Sequence, residues 1–373
     1  MCLRQGKKQR LGLLIAFFCR RARALVSAGL MSAKPPIRIA TISPNPDPDW
    51  AWLKDLMPSD FAVAGRALEW RSFSMAASSP RLATLGRWRG ARTLAKAATE
   101  QPFDLIVSHG PWATSWVQLA AMPKAANTKH LAFSFNFTDL PTGLRKAAMA
   151  RSFRQVDAFA VFTDAEQRLY ADYFGIDPTK ILRAPWGVAP PLGTLRPRRI
   201  EGEYFASLGG EARDYSILCD AARSCPEVKF VVIARPWNFE NLNPPENLEV
   251  LFNLPFEEAW GIVQHAKAAI IPLRSRETPC GLVSLVGAMH LGKAQIVTDA
   301  VGVTDYIRDG ETGLTVPAND SAALSAAIRR IDADPALAER LGTNAKTYAG
   351  AHCSEAATIG YFSDLVKRWF GNN

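Results

Sequence analysis

Short apolar runs alternate with amphipathic stretches along most of the chain, and that alternation sets the fold class. Residues 37–43 (IRIATIS) are β-branched and run into a loop holding Pro44, Pro46 and Pro48, which predicts a first strand and its exit. Residues 103–107 (FDLIV) are almost continuously apolar; Ser108, His109, Gly110 and Pro111 follow, and a helical period resumes over 112–121. Strands buried on both faces of a parallel sheet read this way. Further strands are expected over 130–135 and 158–163, with a helix over 164–174. Near Pro185 the texture turns proline-rich and charged, through Pro190, Pro191, Arg196, Arg198 and Arg199, which marks a domain boundary. A second alternation follows, with strands over 204–208, 228–234, 248–251, 268–273 and 294–298 and helices over 215–223, 256–265, 279–291 and 321–331. The expectation is α/β: doubly wound domains at 35–190 and 191–373, the last helix packing back on the first, and a separate segment 1–34.

Charge sharpens the division. The chain has 373 residues with 44 Lys+Arg against 35 Asp+Glu, yet eight of the basic residues and none of the acids fall in 1–34. The rest is nearly balanced, so the body carries no global nucleic-acid footprint. Segment 1–34 is cationic, apolar over 11–19, then cationic again. Nine residues are too few to span a bilayer, and the arginines that follow at once suit no signal-peptidase site. Two readings stand: a basic amphipathic segment lying on an anionic membrane, or sequence upstream of a true start at Met31, the second being favoured. Residues 35–190 hold 18 basic and 13 acidic residues, whereas 191–373 hold 18 and 22. The first domain's excess gathers at Arg66, Arg71, Arg81, Arg87, Arg89, Arg92 and Lys96, either a face for anionic lipid or a phosphate-bearing acceptor, or a solvated surface. Six cysteines without CxxC pairing imply neither zinc nor a disulfide framework.

The richest chemistry lies between Glu277 and Lys293. Thr278 suits an N-cap and Pro279 the first helical position, so the amides near Cys280, Gly281 and Leu282 are expected to be free and to form an anion site. Gly287, Gly292 and Lys293 reproduce a P-loop spacing, but Ala294 stands where a magnesium-binding hydroxyl is needed, which excludes that reading. Asp47 with Asp49, and Asp332 with Asp334, have the spacing of a metal-holding pair but sit in turns without a third ligand; no metal site is expected. Trp50, Trp52, Trp112, Trp116, Phe135 and Phe137 are candidates to stack on a sugar, or core residues.

The order of these features resembles the family 4 (group 1) glycosyltransferases: Asp104 to His109 as a strand then a histidine, Pro185 to Val188 as an interdomain segment, Ser207 to Tyr215 as a glycine-plus-basic loop, and Leu273 to Pro317 as the second domain's signature. The resemblance implies a GT-B fold, two Rossmann-like domains facing a cleft, and metal-independent, retaining transfer of a hexose from a nucleotide diphosphate sugar to a cell-envelope polysaccharide or lipid-linked glycan. It implies catalytic roles for His109, Arg213 and Glu277, with the donor held by Gly209, Gly210, Arg213, Thr278, Gly281, Leu282 and Val283. No cofactor beyond the donor substrate is implied, and the expected location is cytoplasmic, peripheral on the inner face of the plasma membrane. The family's second basic residue falls on Gly210, with Arg235 as a substitute. Its two glutamates fall on Pro279 and Gly287, so Glu277 can replace the first only from a longer loop, and nothing replaces the second. That departure keeps open a catalytically silent protein that binds nucleotide or glycan as a scaffold; a related phosphorylase or epimerase is the third reading.

Overall fold

The structure is a computed structural model and describes residues 34–45, 52–125, 127–189, 200–274 and 279–371. Segment 1–33, Asp47, Asp49, Glu277 and Thr278 lie outside the described residues. Two sheets are built in succession. The first contains β1 (Ile37–Ser43), β2 (Ala62–Val63), β3 (Arg66–Ser74), β4 (Leu105–His109), β5 (Lys129–Phe133), β6 (Ala158–Val161) and β7 (Ile181–Arg183), in the order β2-β3-β1-β4-β5-β6-β7. All its pairings are parallel except β2 with β3. The second contains β8 (Phe205–Leu208), β9 (Phe230–Ala234), β10 (Leu248–Phe252), β11 (Ala268–Ile271), β12 (Ala294–Thr298) and β13 (Leu314–Val316), in the order β10-β9-β8-β11-β12-β13 and parallel throughout. Each order reverses once, between β1 and β4 and between β8 and β11, and a doubly wound sheet opens a crevice at the carboxyl ends of such strands.

Helices cover both faces of each sheet. In the first domain, β-branched and aromatic side chains of β1, β4 and β5 meet Phe362, Leu365 and Val366 of the final helix, Glu355–Phe370, which thereby packs on the first sheet although it follows the second. Gly187 in the interdomain segment lies against Ser354 at that helix's start, where a Cβ has no room. Phe135 and Phe137 are core residues, at 0% and 3% exposure, in a cluster of edge-on rings with Phe153, Phe159 and Tyr170. Sugar stacking by those two is thereby excluded.

The domains meet through directed hydrogen bonds. The Tyr306 hydroxyl donates to the Phe162 carbonyl at 2.7 Å and accepts from the Trp186 amide at 3.1 Å, and the Asp164 amide donates to Asp305 Oδ2 at 2.8 Å. Asp164 opens the helix Asp164–Phe174, held by a capping box in which Thr163 accepts from the Glu166 amide and Glu166 reaches back.

Candidate active site

The crevice of the second domain forms where the chain leaves β8. Gly209, with φ 140°, donates its amide to the Ile233 carbonyl at 3.0 Å and gives its own carbonyl to the Tyr215 hydroxyl at 2.6 Å. Ala212 takes a left-handed φ of 53° and reverses the chain, so that Arg213 pairs with Leu273 in an antiparallel bridge. The Asp214 amide bonds the Pro272 carbonyl (2.9 Å) and the Arg274 amide bonds the Ala212 carbonyl (3.1 Å). Loops leaving β8 and β11 are thus stitched together at the switch point, and Asp214 caps the helix Tyr215–Ser224.

Beyond β11 the helix Leu282–His290 begins three residues later than the sequence predicts. Gly281, at φ 80°, is its N-cap, and Pro279 precedes it rather than opening it. The reason is local: a left-handed residue interrupts the helical geometry that Pro279 permits, and Gly281 adopts it without strain. The free first-turn amides are therefore those of Leu282, Val283 and Ser284, and the Ser284 side chain joins this turn to the end of β8.

Arg213 is where the structure departs most from the sequence reading. Its side chain is 7% exposed and folds inward. Nε and Nη2 donate to the Leu208 carbonyl at 3.3 and 3.1 Å, Nη1 donates to the Glu211 carbonyl at 3.0 Å, and Nη2 donates to Ser284 Oγ at 2.9 Å. Ser284 Oγ in turn donates to the Leu208 carbonyl at 2.9 Å. The guanidinium therefore ties the end of β8 to the first turn of the helix, instead of projecting freely into the crevice. Its remaining Nη1 proton lies on the side of Gly281, where a Cβ would come within 3.1 Å of Nη1. A Cβ on Gly209 would come within 2.5 Å of Nη2, so the arginine requires that glycine, whereas Gly281 is required by its own φ of 80°. All its partners are neutral, and burial pulls its pKa below the usual arginine value. The Glu211 carboxylate acts on it only through space, and a buried cation hydrogen-bonded to neutral groups beside a helix N-terminus favours an anion.

Gly210 and Arg235 form a second pair. Arg235 is exposed, its Cγ lies 2.7 Å from where a Cβ on Gly210 would stand, and its Nη1 donates to Asn253 Oδ1 at 2.8 Å. Arg235 thus brings a cation to the crevice edge beside Gly210. Gly287 is buried in mid-helix beneath Trp260; a Cβ there would come within 2.7 and 2.8 Å of Cζ2 and Cζ3, with Cη2 nearer still. The indole occupies the space, so no side chain at 287 reaches the crevice. Asp332 and Asp334 are accounted for without a metal: Asp332 holds Lys267 at 2.7 Å, and Asp334 caps the helix Pro335–His352.

His109 ends β4 at the first domain's switch point. Its ring packs on Phe133 (5.8 Å between centroids), which meets Phe162 edge-on, which meets Trp186 edge-on at the domain junction. Burial lowers its pKa to about 4, so it is neutral at physiological pH. A buried chain sets the loop that follows: the His130 ring bridges Gln118 (2.7 Å) and Ser108 (2.8 Å), Ser108 meets Thr114 at 2.8 Å, and Thr114 donates to the Gly110 carbonyl at 2.9 Å. Sequence reasoning missed this chain, because its members sit in apolar contexts with no motif among them.

The comparisons agree with the geometry. The family described as glycosyl transferases group 1 matches residues 238–348, and a glycosyl transferase 4-like domain matches residues 14–187. Among curated proteins, a D-rhamnosyltransferase of Pseudomonas aeruginosa is 35% identical over 101 residues, 27% of this chain and 26% of that protein. A D-inositol 3-phosphate glycosyltransferase of Streptomyces bingchenggensis is 29% identical over 103 residues, 27% and 22% of the two chains. These alignments span about a quarter of the curated relatives' length. Among solved structures, a sucrose-phosphate synthase from Thermosynechococcus elongatus superposes with TM-score 0.70 at 18% identity, covering 90% of this chain and all of that one. Anabaena HepE in complex with UDP-glucose gives 0.69 at 14% identity, covering 89% and 99%. The fold is GT-B, and with both domains matched in order the chain belongs to the group 1 glycosyltransferases.

Proposed function

We propose that the protein transfers a hexose, with retention of configuration, from a nucleoside diphosphate sugar to a cell-envelope polysaccharide or lipid-linked glycan at the cytoplasmic face of the membrane. The observation that carries this reading is the buried Arg213, satisfied only by neutral partners and set beneath the open amides of Leu282, Val283 and Ser284. A diphosphate supplies the missing negative charge, and the same groups stabilise it as it departs, in the role a metal ion plays elsewhere. Arg235 at the edge adds a second cation. His109, neutral and held at the opposite switch point, is suited to hydrogen-bond the transferred sugar. HepE was solved with UDP-glucose, which supports a donor of this class. Among the described residues no helix is long and apolar enough to cross a membrane, so a lipid-linked acceptor would be met from the surface.

The test is calorimetric titration with UDP, GDP, ADP and CMP, followed by assay of the preferred nucleotide's sugar for transfer and hydrolysis. Val283 is 53% exposed in the helix's first turn, so Val283→Asp leaves packing alone and places a carboxylate where the phosphate binds. At about 5 Å and an effective dielectric constant near 40 the repulsion is about 1.7 kcal/mol per phosphate charge, which predicts at least a 10-fold weaker nucleotide. Helix stability stays level or rises by about 0.5 kcal/mol, because the carboxylate suits the dipole. Unchanged nucleotide affinity in Val283→Asp would remove this helix from the donor site. Binding without turnover or hydrolysis of any sugar nucleotide would favour the scaffold reading instead.

A further inference from the structure

A cavity of about 410 Å³ opens over the junction between the domains. Arg183, at the end of β7, and Pro185 form its first-domain wall. Across from them stand Tyr306 and Arg308, from the loop leaving β12, and Tyr348 and His352, from the end of the helix Pro335–His352. The cavity is separate from the donor crevice, since none of these residues belongs to the loops that leave β8 and β11. It is also separate from the first domain's switch point, because β7 lies three strands, roughly 14 Å, from the strand carrying His109. Its volume is that of a small-molecule site.

The lining suits an anion. Two guanidiniums line the cavity and, among the described residues, no carboxylate does. Arg183 Nε has Asp164 at 3.4 Å and Arg308 Nη1 has Glu311 at 3.8 Å; both are exposed pairs of the kind that contributes little, so a doubly charged phosphate outcompetes them. The charge of Arg183 acts through space on Tyr306, Tyr348 and Cys353 of the second domain, and that of Arg308 on Tyr348. Rings offer a surface for the body of a ligand: Arg308 lies over Tyr348 at 5.9 Å, and the Tyr348 and His352 centroids are 4.7 Å apart. Burial pushes the Cys353 thiol up to about 12, so its sulfur is a neutral wall atom and not a nucleophile. The floor is fixed from both sides, because the Tyr306 hydroxyl bridges Phe162 and Trp186, the Tyr348 hydroxyl donates to the Asp305 carbonyl at 2.9 Å, and the Val188 amide donates to the Cys353 carbonyl at 3.2 Å. Arginines that serve only solvation have no reason to converge on one concavity from two domains. We propose that this junction cavity binds a small molecule bearing a terminal phosphate dianion, gripped by Arg183 of one domain and Arg308 of the other, with its body against Tyr348 and His352. A ligand held by both domains favours one setting of the pair, so its binding is coupled to nucleotide binding in the cleft; that consequence, unlike the site, rests on the proposed donor reading.

The test is calorimetric titration of the full-length chain with inorganic phosphate, glucose 6-phosphate and AMP. Arg183→Gln/Arg308→Gln is expected to weaken the tightest of them at least about 10-fold, because the charge-assisted hydrogen bonds of two guanidiniums are lost. Arg308→Gln alone, at an exposed side chain, answers the question if the double variant fails to fold, and should cost at least about 3-fold. Val283→Asp, in the donor crevice, should bind the same ligand as wild type does, and the double variant should keep wild-type UDP affinity. An ester that binds more tightly than the free ion identifies an organic ligand, and equal affinity assigns the site to phosphate itself. No binding of any of the three, binding undiminished in the arginine variants, or binding lost in Val283→Asp would each overturn the proposal. With the tightest ligand saturating, UDP affinity should shift at least about 5-fold, and an unchanged value would refute the coupling. Absence of UDP binding in every protein would sink the donor assignment and leave the phosphate site standing.

Discussion

Substituting Gly287 by alanine sets two physical effects of opposite sign against each other. The residue lies inside the helix Leu282–His290, where replacing glycine by alanine ordinarily stabilises by about 1 kcal/mol. Here all three nearest atoms to the new Cβ belong to Trp260, with Cζ2 and Cζ3 at 2.7 and 2.8 Å, roughly 0.7 Å inside ordinary contact. The indole is 5% exposed and packed against Ile200, Tyr204, Val231 and Ala288, so it has nowhere to retreat. Overpacking of this kind costs about 1–3 kcal/mol, and a rigid ring against a helix backbone belongs at the upper end. The net expectation for Gly287→Ala is a loss of about 2 kcal/mol, read as a lowered urea midpoint at unchanged slope. Trp260→Phe removes the offending ring atoms, so the double variant Gly287→Ala/Trp260→Phe should recover stability beyond the sum of the single changes, a coupling of about 2 kcal/mol. If Gly287→Ala proved as stable as wild type or more so, propensity would have won and the account of this glycine would be wrong. The same geometry says that Gly287→Glu, which restores the family's glutamate, lowers stability further and brings no gain in nucleotide affinity.

Ser284→Ala removes the acceptor of one Arg213 donor and a donor to the Leu208 carbonyl; it should cost about 1–2 kcal/mol in unfolding free energy, with a smaller loss of nucleotide affinity than Val283→Asp. The pH dependence of stability follows from three buried groups. His109 and His130, lowered by burial to about 4 and about 3, bind fewer protons folded than unfolded, so their contribution is fully present above pH 6.5 and is lost as pH falls toward those values. Burial raises Glu166 to about 7 despite the hydrogen bonds it accepts from Phe162, Thr163 and Tyr170, so its contribution is present below about 4.5 and is lost as pH rises to 7. Unfolding free energy should therefore rise from pH 4 and level off near pH 7, the two histidines outweighing Glu166, and His109→Gln should flatten that acid limb, which chemical denaturation across pH 4–8 measures. Glu166→Gln should steepen the rise between pH 4.5 and 7, and a variant whose limb is no steeper than wild type would place the titrating group elsewhere.

Legibility from sequence tracked how much of each element's reason is local. The bounds of β1 and β12, and of the helices Asp164–Phe174 and Phe256–His265, were readable to the residue because their signals lie within themselves. Thr163 and Glu166 announce one helix start, and Gly175, at φ 64°, announces its end. The helix Ala83–Glu100 hid for the opposite reason. Apart from Leu94, its buried residues are Gly86, Gly90, Ala91, Ala95, Ala97 and Ala98, and the two glycines are set by the backbone at Ser74–Ala76, which passes so near that a Cβ on either would meet carbonyl oxygens at 2.5–2.9 Å. An apolar period cannot be seen where the neighbouring chain dictates small residues, and only the arginines of the outer face showed.

The site divides along the same line. That a glycine loop, a basic residue and a helix start belong together was visible in their order, since sequence order at a topological switch point is also spatial order. The direction in which Arg213 points was not, because a charged residue in a loop is ordinarily solvated. What turns it inward is the left-handed Ala212 and the bridge to Leu273, neither of which has a sequence signal. Its inward turn changes the chemistry inferred from it: an arginine on the surface of the crevice would grip a phosphate and move with it, whereas one fixed to Leu208, Glu211 and Ser284 is preorganised and gives its charge through the helix turn it supports. The discriminating consequence is in Arg213→Lys. Lysine keeps the charge but cannot span those three partners, so a preorganised role predicts loss of stability together with nucleotide affinity, whereas a surface grip predicts weaker nucleotide at unchanged stability.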